Sequence, residues 1–510
     1  MSLSEPMALP ALSAAAFVGR AVAVLGFARS GLAAARYLAD QGALVTVYDV
    51  RPAAELGEAI AALAGRTVRL ELGPAVDPAA VLAGQALVVT SPSVSSRYPT
   101  TEPRLRAALG ALEGEGRVPV VSEVDLFLRL CPAVTVGVTG TKGKTTTATL
   151  AAAILGAAAA PVFLGGNTGV PLIERLPELT PGHRVVLELS ELQLPTLSRG
   201  TTVAVYTHVT ADHLDRHGSV AAYRAAKRRL AELVDPDGAL VLNAEDPVSV
   251  AYAGLGTAPL TLYRRDRPLP GGVGLDDGWI VAAGVERLPL AGGGPAPTGP
   301  GGRVLPVEDI RLPGYHSLSN VMAAVAVGLL FGVAPDAIRR AVAAFRGVEH
   351  RLETVAVHER IRYVNDSQGT QPDAVIAALR SFRPPLVLIA GGRSKDLVID
   401  ELARVAVERA TAGLSRTVAT APSAAFASST RAMAVARSTA ASSDAQRSTR
   451  PWPAAPKIRS KSGALSPIRS TAVARSTATR ASSSMTRSLE RPPAMSTSGG
   501  RKLRSAAMTA

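Results

Sequence analysis

The sequence feature that most constrains the fold is a glycine-rich segment, TGTKGKTTT, at residues 139–147. A strand-like apolar run precedes it and an alanine-rich helix pattern follows it, which is the context that a phosphate-binding loop requires. Gly140 and Gly143 would let backbone N–H groups approach phosphate oxygens, at a helix N-terminus that favours negative charge. Lys144 would contact the terminal phosphates and Thr145 would hold Mg²⁺. The segment therefore predicts a nucleotide-binding α/β domain.

This segment departs from the commonest phosphate-loop pattern, which has glycine five positions before Gly143. The chain has Val138 there, so the loop is a shortened variant. A glycine-containing turn without a ligand is the alternative. The run Gly-Lys-Thr between a strand and a helix favours the phosphate loop.

Strand-like runs alternate with helix patterns along most of the 510 residues, which predicts α/β domains with parallel, doubly wound sheets. The chain is too long for a single core. We predict three domains: a Rossmann-like front domain at 18–130, a central domain of the P-loop ATPase type at 131–345, and the start of an incomplete C-terminal Rossmann-like domain at 346–410. A glycine- and proline-rich loop at 291–302 separates two pieces of a small β-rich insertion.

The last hundred residues, 411–510, lose this periodicity. More than half of them are Ala, Ser or Thr, and their basic residues account for the whole net charge of +14. Such a segment cannot bury enough apolar surface to offset its ordering entropy. Two interpretations stay open: a basic disordered tail that binds nucleic acid nonspecifically, or a GC-rich coding sequence read in a shifted frame. The shift is favoured because the change falls inside an unfinished α/β domain.

Composition excludes several classes of protein. The single cysteine, Cys131, rules out a disulfide framework and fits a reducing cytoplasm, where we expect the protein to act. The N-terminus carries Glu5 and no basic cluster, so we predict no secretory signal. Two uncharged stretches, 145–173 and 318–335, are interrupted or short, and we predict buried helices there with no membrane span. Outside the tail the charges balance, which indicates no specific nucleic-acid partner.

Two further motifs bring acidic residues and histidines close to predicted strand ends. In LELSELQL (187–194), Glu188 falls at a strand end, where a Mg²⁺ ligand is favoured over an ion-paired core carboxylate. A second motif, VTADHLDRHGS (209–219), groups Asp212, His213, Asp215 and His217. Their spacing fits either a transition-metal site or an oxygen-rich Mg²⁺ and phosphate site in which His213 assists.

A lysine in the predicted helix around 221–234 is a less obvious candidate. Lys227 lies in YRAAKRRL, close to Arg224, Arg228 and Arg229. By pattern alone this segment is a solvated basic helix face. Composition therefore assigns Lys227 no chemical role.

The front domain contains a degenerate dinucleotide fingerprint. Gly26 to Gly31 (GFARSG) lies between a strand and a helix, and Asp49 ends the next strand. Ala28 stands at the position of the middle glycine, so the match is weak. The pattern indicates a nucleotide-type ligand over a helix N-terminus without specifying NAD. A NAD-dependent oxidoreductase is an alternative, but it leaves residues 139–147 unexplained.

Taken together, these motifs resemble the Mur ligase family over roughly residues 18–410. The resemblance also covers four other motifs, in the same order along the chain: GGNTGVPL (165–172), LPGYHSLSN (312–320), FRGVEHRLE (345–353) and VNDSQGT (364–370). The front domain distinguishes the chain from folylpolyglutamate synthases, which share the central domain. The match is closest to the members that add D-glutamate to UDP-N-acetylmuramoyl-L-alanine.

The resemblance implies a set of binding and catalytic residues. For the UDP portion of the sugar nucleotide it implies Ser30, Gly31, Asp49 and Arg51. For ATP it implies Gly140, Thr141, Lys142, Gly143, Lys144, Thr145, Thr146, Asn320, Arg351 and Asp366. The other substrate positions are Asn167, Ser190, Thr370 and Lys395. The implied metal ligands, for two Mg²⁺ ions, are Thr145, Glu188, His213 and Lys227. The implied catalytic residues are Lys144, His213 and Lys227, the last of them carbamylated.

The implied reaction is ATP-dependent ligation in the cytoplasm by a monomer. The alanyl carboxylate of UDP-N-acetylmuramoyl-L-alanine attacks the γ-phosphate of ATP, and the amine of D-glutamate then attacks the resulting acyl phosphate. The segment that completes the C-terminal domain in this family is not recognisable after residue 410. The alternatives are therefore a Mur ligase that adds another amino acid and an inactive nucleotide-binding remnant.

Overall fold

The computed structural model describes residues 12–410 and 412–417, except 159, 370–371 and 393–398. Its front part is a parallel sheet of five short apolar strands in the order β3-β2-β1-β4-β5. The strands are β1 (Ala21–Leu25), β2 (Leu44–Asp49), β3 (Val68–Leu72), β4 (Leu87–Thr90) and β5 (Val120–Ser122). The helices are α1 (Arg29–Asp40), α2 (Gly57–Ala61), α3 (Pro78–Leu82), α4 (Pro103–Glu115) and α5 (Glu123–Leu130). The strand order reverses between β1 and β4, which creates a crevice at the carboxyl ends of the strands.

The central part is a nine-stranded sheet in the order β14-β13-β12-β11-β10-β9-β6-β8-β7. Its first strands are β6 (Val134–Thr139), β7 (Val162–Gly166), β8 (Arg184–Glu188), β9 (Val203–Tyr206) and β10 (Ala239–Asn243). The remaining strands are β11 (Leu260–Tyr263), β12 (Gly272–Asp276), β13 (Trp279–Ala283) and β14 (Arg303–Pro306). The strands from β7 to β12 run parallel, whereas β13 and β14 are antiparallel additions. The β-rich segment around 291–302 thus extends the central sheet.

Helices cover the central sheet and contribute much of its core. They are α6 (Lys144–Gly156), α7 (Leu214–His217), α8 (Val220–Leu233), α9 (Pro247–Val250), α10 (Tyr315–Leu330) and α11 (Pro335–Ala344). Most residues of α10 are buried, and a Cβ added to Gly328 would lie 2.6 Å from Ile154 Cγ2 of α6. This close packing explains the uncharged composition of α10. Among the described helices, none is both long and apolar enough to cross a membrane.

The chain continues into a smaller α/β region after residue 350. An antiparallel hairpin of β15 (Glu353–His358) and β16 (Ile361–Asn365) is followed by α12 (Pro372–Arg380). Then β17 (Val387–Gly392), α13 (Asp400–Arg409) and β18 (Ala412–Thr417) form a parallel strand–helix–strand unit. The strand β18 extends into the segment for which the sequence predicts no regular structure, because it pairs residue by residue with β17. The predicted parallel α/β fold is confirmed, while the exact domain limits stay predictions.

A buried carboxyl group lies where the front helices meet the central part. Glu123 begins α5 and is only 5% exposed. Burial raises its pKa from the ordinary 4.5 to about 8, while Arg29 opposes this rise and Glu174 adds to it. Glu123 is therefore mostly protonated at neutral pH in the folded protein.

Because Glu123 keeps this proton in the folded state, the free energy of unfolding should depend on pH. The substitution Glu123→Gln should remove this dependence. As the pH rises from 4.5 to about 8, the folded state keeps a proton that the unfolded state releases, so the wild type loses stability. Glutamine carries no such proton. We expect the variant to match the wild type at about pH 5 and to unfold several degrees higher at about pH 9, since 1 kcal/mol moves Tm by roughly 2–4 °C. The control is Glu58→Gln, which changes an exposed carboxyl on α2. If the melting temperatures of Glu123→Gln and the wild type changed in parallel with pH, the prediction would be contradicted.

Candidate active site

The phosphate loop follows β6 and leads directly into α6. Gly143 has φ +89°, and a Cβ there would lie 2.2 Å from Asn320 Oδ1. Gly140 has φ +143°, and a Cβ there would lie 1.9 Å from Thr207 Oγ1. Both positions require glycine, because the loop is packed against side chains from other parts of the central domain. The predicted strand–loop–helix context is present.

Hydrogen bonds from the segment after β9 fix the path of this loop. The Thr141 N–H donates to the His208 carbonyl at 2.7 Å, and the Thr207 hydroxyl donates to the Lys142 carbonyl at 2.5 Å. The Thr141 hydroxyl lies 3.0 Å from the Tyr223 hydroxyl on α8. The loop is thus held in one shape from two neighbouring elements.

The first turn of α6 faces the loop. The N–H groups of its first residues, Lys144 to Thr146, have no partner within the helix and are available to an anion. Thr145 is 5% exposed, and its hydroxyl is close enough to Glu188 to help lower the pKa of that carboxyl, while Thr146 is half-buried. The turn therefore combines free N–H donors with a hydroxyl beside a carboxylate.

The ammonium group of Lys144 lies over the loop. Its Nζ donates to the carbonyls of Gly140 and Thr141, at 3.1 Å each. Burial lowers the pKa of Lys144, while the carboxylates of Glu188 and Glu191 oppose this change. The side chain is a half-buried donor placed where a phosphate on the loop would lie.

Glu188 ends β8, next to the loop, and is 2% exposed. Its Oε1 accepts a 3.0 Å hydrogen bond from Asn167 Nδ2, and its Oε2 accepts one from the Thr168 hydroxyl. Burial raises the pKa of Glu188, but Lys144 and the hydrogen bonds outweigh burial and lower it overall. The result is an ionised, oriented carboxylate beside the phosphate loop.

A second acidic group lies across from the loop. Glu191 is 6% exposed, and its Oε1 lies 3.7 Å from His213 Nε2. The same His213 nitrogen lies 3.9 Å from Asp212 Oδ1, while Asp212 Oδ2 lies 3.8 Å from Lys142 Nζ. Among the described side chains, no three His, Cys, Asp or Glu are grouped as metal ligands, and the Asp215 side chain lies outside them. The described side chains therefore give no support to a transition-metal site in this motif.

The helix α8 buries Lys227 completely, at 0% exposure. Its Nζ lies 3.4 Å from Thr139 Oγ1 and 5.0 Å from the centre of the Tyr223 ring. The interpretation as a solvated basic face is wrong for this residue, although Arg224 and Arg228 are exposed. The reason is helical periodicity, which turns Tyr223 and Lys227, four residues apart, toward the sheet.

The surroundings of Lys227 change its charge state. Its pKa falls from 10.5 to about 7, because burial and the positive charge of Lys144 lower it more than Glu191, Asp212 and Glu188 raise it. A substantial fraction of this lysine is consequently a neutral amine at physiological pH. Neutral amines are nucleophilic, so burial makes Lys227 chemically reactive.

The front crevice holds Asp49 at the end of β2. Its carboxylate accepts hydrogen bonds from the Phe27 N–H at 2.7 Å and from the Arg51 guanidinium, with Oδ2 2.8 Å from Nη2. Burial raises the pKa of Asp49, but these bonds lower it overall. Gly31 lets α1 approach the preceding loop, because a Cβ there would lie 1.7 Å from the Gly26 carbonyl oxygen. Ser30, next to Gly31, is half-buried at the start of α1.

A cavity of about 280 Å³ opens at this crevice, lined by residues that include Gly26, Asp49, Ser93, Thr101 and Arg216. A larger cavity of about 700 Å³ lies between the front and central parts. Arg216 and Val94 line both. The two cavities therefore meet at Arg216, which comes from the same motif as His213.

Comparison with known proteins identifies the family. Residues 138–260 match the Mur ligase middle domain, and residues 20–111 match the MurD-like N-terminal domain of Mur ligases. A UDP-N-acetylmuramoylalanine–D-glutamate ligase from Roseiflexus sp. (strain RS-1) is 40% identical over 395 residues, or 74% of this chain and 79% of that protein. The chain belongs to the Mur ligase family. A ligase of the same name from Symbiobacterium thermophilum is 38% identical over 392 residues, covering 76% of this chain and 80% of that protein.

Three further residues that the sequence predicted for ATP binding in this Mur ligase lie on α10 and around the β15–β16 hairpin. Asn320, on α10, accepts a hydrogen bond of 3.5 Å from the Thr147 hydroxyl and is 8% exposed. The positive charge of Arg351 is close enough to lower the pKa of Lys144. Asp366 accepts a bond from the Leu352 N–H at 3.1 Å, and burial raises its pKa. Asn320 is thus in contact with the loop, whereas Arg351 and Asp366 lie in the region around the β15–β16 hairpin.

The structure gives less information about the remaining predicted substrate residues. Ser190 is 8% exposed, and both its N–H and its hydroxyl donate to Gln193 Oε1, at 2.9 and 3.1 Å. Thr370 and Lys395 lie outside the described residues. The roles of these residues stay predictions.

Sequence reasoning missed two residues of the site in this Mur ligase. Glu191 lies in the motif that supplied Glu188, three residues later, and faces His213. Tyr223 lies four residues before Lys227 and contacts both it and the loop. Helical spacing from the predicted site residue Lys227 was the signal that could have identified Tyr223.

Proposed function

We propose that the protein is an ATP-dependent ligase that joins D-glutamate to UDP-N-acetylmuramoyl-L-alanine during peptidoglycan precursor synthesis. The observation that carries this proposal is the convergence of the phosphate loop, the ionised Glu188 and the buried Lys227 around one point. Relatives at 38–40% identity carry the name of this ligase. The front crevice with Asp49 supplies a place for the sugar nucleotide.

The loop residues fit a nucleoside triphosphate and Mg²⁺. Mg²⁺ prefers oxygen ligands and is usually held by one or two carboxylates together with substrate phosphates. Glu188 and the neighbouring Thr145 hydroxyl provide such oxygens next to the helix N-terminus. When bound, ATP and Mg²⁺ would supply a transferable phosphoryl group and neutralise its charge. Lys144 and the first turn of α6 would orient the phosphates.

Lys227 fits a carbamate. Its neutral amine can add to carbon dioxide, with loss of one proton, to give an anionic N-carboxylate. The nearby charge of Lys144 favours an anion at this position. The two carbamate oxygens would then offer ligands for a second Mg²⁺, so the change converts a buried amine into an oxygen donor.

The proposed reaction has two steps. The alanyl carboxylate takes the γ-phosphoryl group of ATP and ADP leaves; the neutral amine of D-glutamate then attacks the activated carbonyl, and phosphate and one proton are released. Lys144 would stabilise the negative charge that develops on the phosphoryl oxygens. His213, held near Glu191 and Asp212, would orient ligands in the same space. The protein mainly supplies alignment and fixed charge.

Phosphate release from the purified protein tests this proposal. With ATP, Mg²⁺, UDP-N-acetylmuramoyl-L-alanine and D-glutamate, we expect release that stops when either of the last two is omitted, because only the complete set gives turnover. L-glutamate and L-lysine are the matched controls for the amino acid. Release that ignores the amino acid would contradict the ligase, and faster release with another amino acid would identify a different Mur ligase. Retained ATP binding without turnover would identify an inactive remnant.

A further inference from the structure

Arg29 links the front helix α1 to a distant loop of the central part. It is the first residue of α1. Its Nη1 donates to the Gly169 carbonyl at 2.9 Å, and its Nη2 donates to the Asn167 carbonyl at 3.1 Å. A guanidinium can satisfy two carbonyls at once because its donors form a planar fork. The contact joins parts of the chain that are 138 residues or more apart.

The segment 167–169, here called the Glu188 clamp, holds the metal-site carboxylate. The N–H of Asn167 donates to the Glu188 carbonyl at 2.8 Å, and its side-chain amide donates to Oε1 at 3.0 Å. The Thr168 hydroxyl donates to the other carboxylate oxygen. Just before the clamp, a Cβ on Gly166 would lie 2.4 Å from the Glu188 carbonyl oxygen. The backbone that leads into the clamp is therefore packed closely against Glu188.

The other end of this connection lies in the front crevice. Arg29 is followed by Ser30 and Gly31, and Gly31 packs directly on the Gly26 carbonyl. Gly26 and Asp49 line the cavity of the crevice. An unbroken series of contacts thus runs from the crevice, through Arg29 and the clamp, to Glu188.

We propose that Arg29 is a positioning residue, which fixes the Glu188 clamp from the front domain and so sets the orientation of Glu188 for Mg²⁺. This inference rests on the proposed function only in naming the metal. Arg29 touches neither the carboxylate nor the phosphate loop, and it acts through Asn167 and Thr168. Residues that orient a metal ligand in this way change metal affinity or activity by about 10- to 100-fold when they are lost.

A second arginine of α1 provides a matched control. Arg36 pairs with Glu174 through Nε and Oε1 at 3.0 Å, so it also joins α1 to the central part. The contacts of Arg36 lie outside the clamp. Loss of a general bridge between the two parts would affect Arg29→Ala and Arg36→Ala alike, whereas loss of positioning would affect Arg29→Ala alone.

The experiment is a Mg²⁺ titration with two readouts, binding of a fluorescently labelled ATP and phosphate release. In Arg29→Ala, the Mg²⁺ concentration for half-maximal binding should rise about tenfold or more, with an intermediate rise in Arg29→Lys, which keeps the positive charge but lacks the planar, pre-organised fork of donors. Arg36→Ala should stay close to wild type, and all variants should show similar thermal unfolding.

An unchanged Mg²⁺ dependence in Arg29→Ala, or an equal change in Arg36→Ala, would overturn the positioning role. The binding readout needs no turnover. If wild type binds the labelled ATP with Mg²⁺ but releases no phosphate, the proposed ligase fails, while the comparison of the arginine variants still decides the role of Arg29.

Discussion

Replacing Lys144 with alanine should abolish ligase turnover, with a loss of about 10³-fold or more in kcat. Lys144 is the half-buried cation over the phosphate loop, with its Nζ 3.1 Å from the carbonyls of Gly140 and Thr141. Without it, the charge that develops on the transferred phosphoryl group loses its nearest protein partner. Steady-state phosphate release, compared at equal folded protein concentration, measures this loss.

The control for Lys144 is the neighbouring Lys142, whose ammonium lies 3.8 Å from Asp212 and is partly exposed. Lys142 is also implied to bind ATP, but its ammonium contacts Asp212 and not the loop carbonyls that Lys144 contacts, so Lys142→Ala should lose much less activity than Lys144→Ala. Arginine at position 144 should not rescue turnover, because its planar fork is larger than the ammonium that the loop encloses. Activity of Lys144→Ala within a few-fold of wild type would show that the loop is not the phosphate site.

Replacing Lys227 with alanine should have the second largest effect, again a loss of about 10²-fold or more in kcat. The variant loses the amine that would become a carbamate, and bicarbonate should not restore activity. Lys227→Arg should be equally inactive, since a guanidinium stays protonated and does not add to carbon dioxide. The carbonyl carbon of the carbamate should be visible by NMR in wild type supplied with ¹³C-bicarbonate and absent from both variants.

The pH dependence of this signal follows from the charge state of Lys227. Its pKa is about 7, so the amine becomes protonated below this value and the carbamate signal should decline as the pH falls. Arg228→Ala, one residue along α8 and exposed, should keep both the activity and the signal. Full activity of Lys227→Ala would remove the carbamate from the proposal.

Local sequence patterns predicted the parts of this Mur ligase that depend on short-range geometry. The phosphate loop could be recognised because Gly140, Gly143 and Lys144 act through backbone freedom and adjacency. The parallel sheets could be recognised because their strands are short apolar runs. The roles of other residues could not be inferred from their neighbours in the sequence. Only the resemblance to the Mur ligase family suggested those roles.

Other features could not be predicted from local patterns because they depend on tertiary contacts. The burial of Lys227 arises from how α8 packs on the sheet, while its exposed arginine neighbours suggested a solvated face. The bond from Arg29 to the Glu188 clamp joins residues far apart in the chain. The strand β18 has a composition that resembles the tail, and it becomes regular only by pairing with β17.

The contact between the phosphate loop and Asn320 imposes an order on synthesis by the ribosome. Thr147 and Asn320 are 173 residues apart, and Asn320 fills the space beside Gly143. A nascent chain that has emerged only as far as β14 contains the whole loop but lacks the helix that supports it. Chains are synthesised at about 5–20 residues per second, so the loop waits roughly 10–35 seconds for α10. We therefore expect the growing polypeptide to bind nucleotide only after most of the central domain has left the exit tunnel.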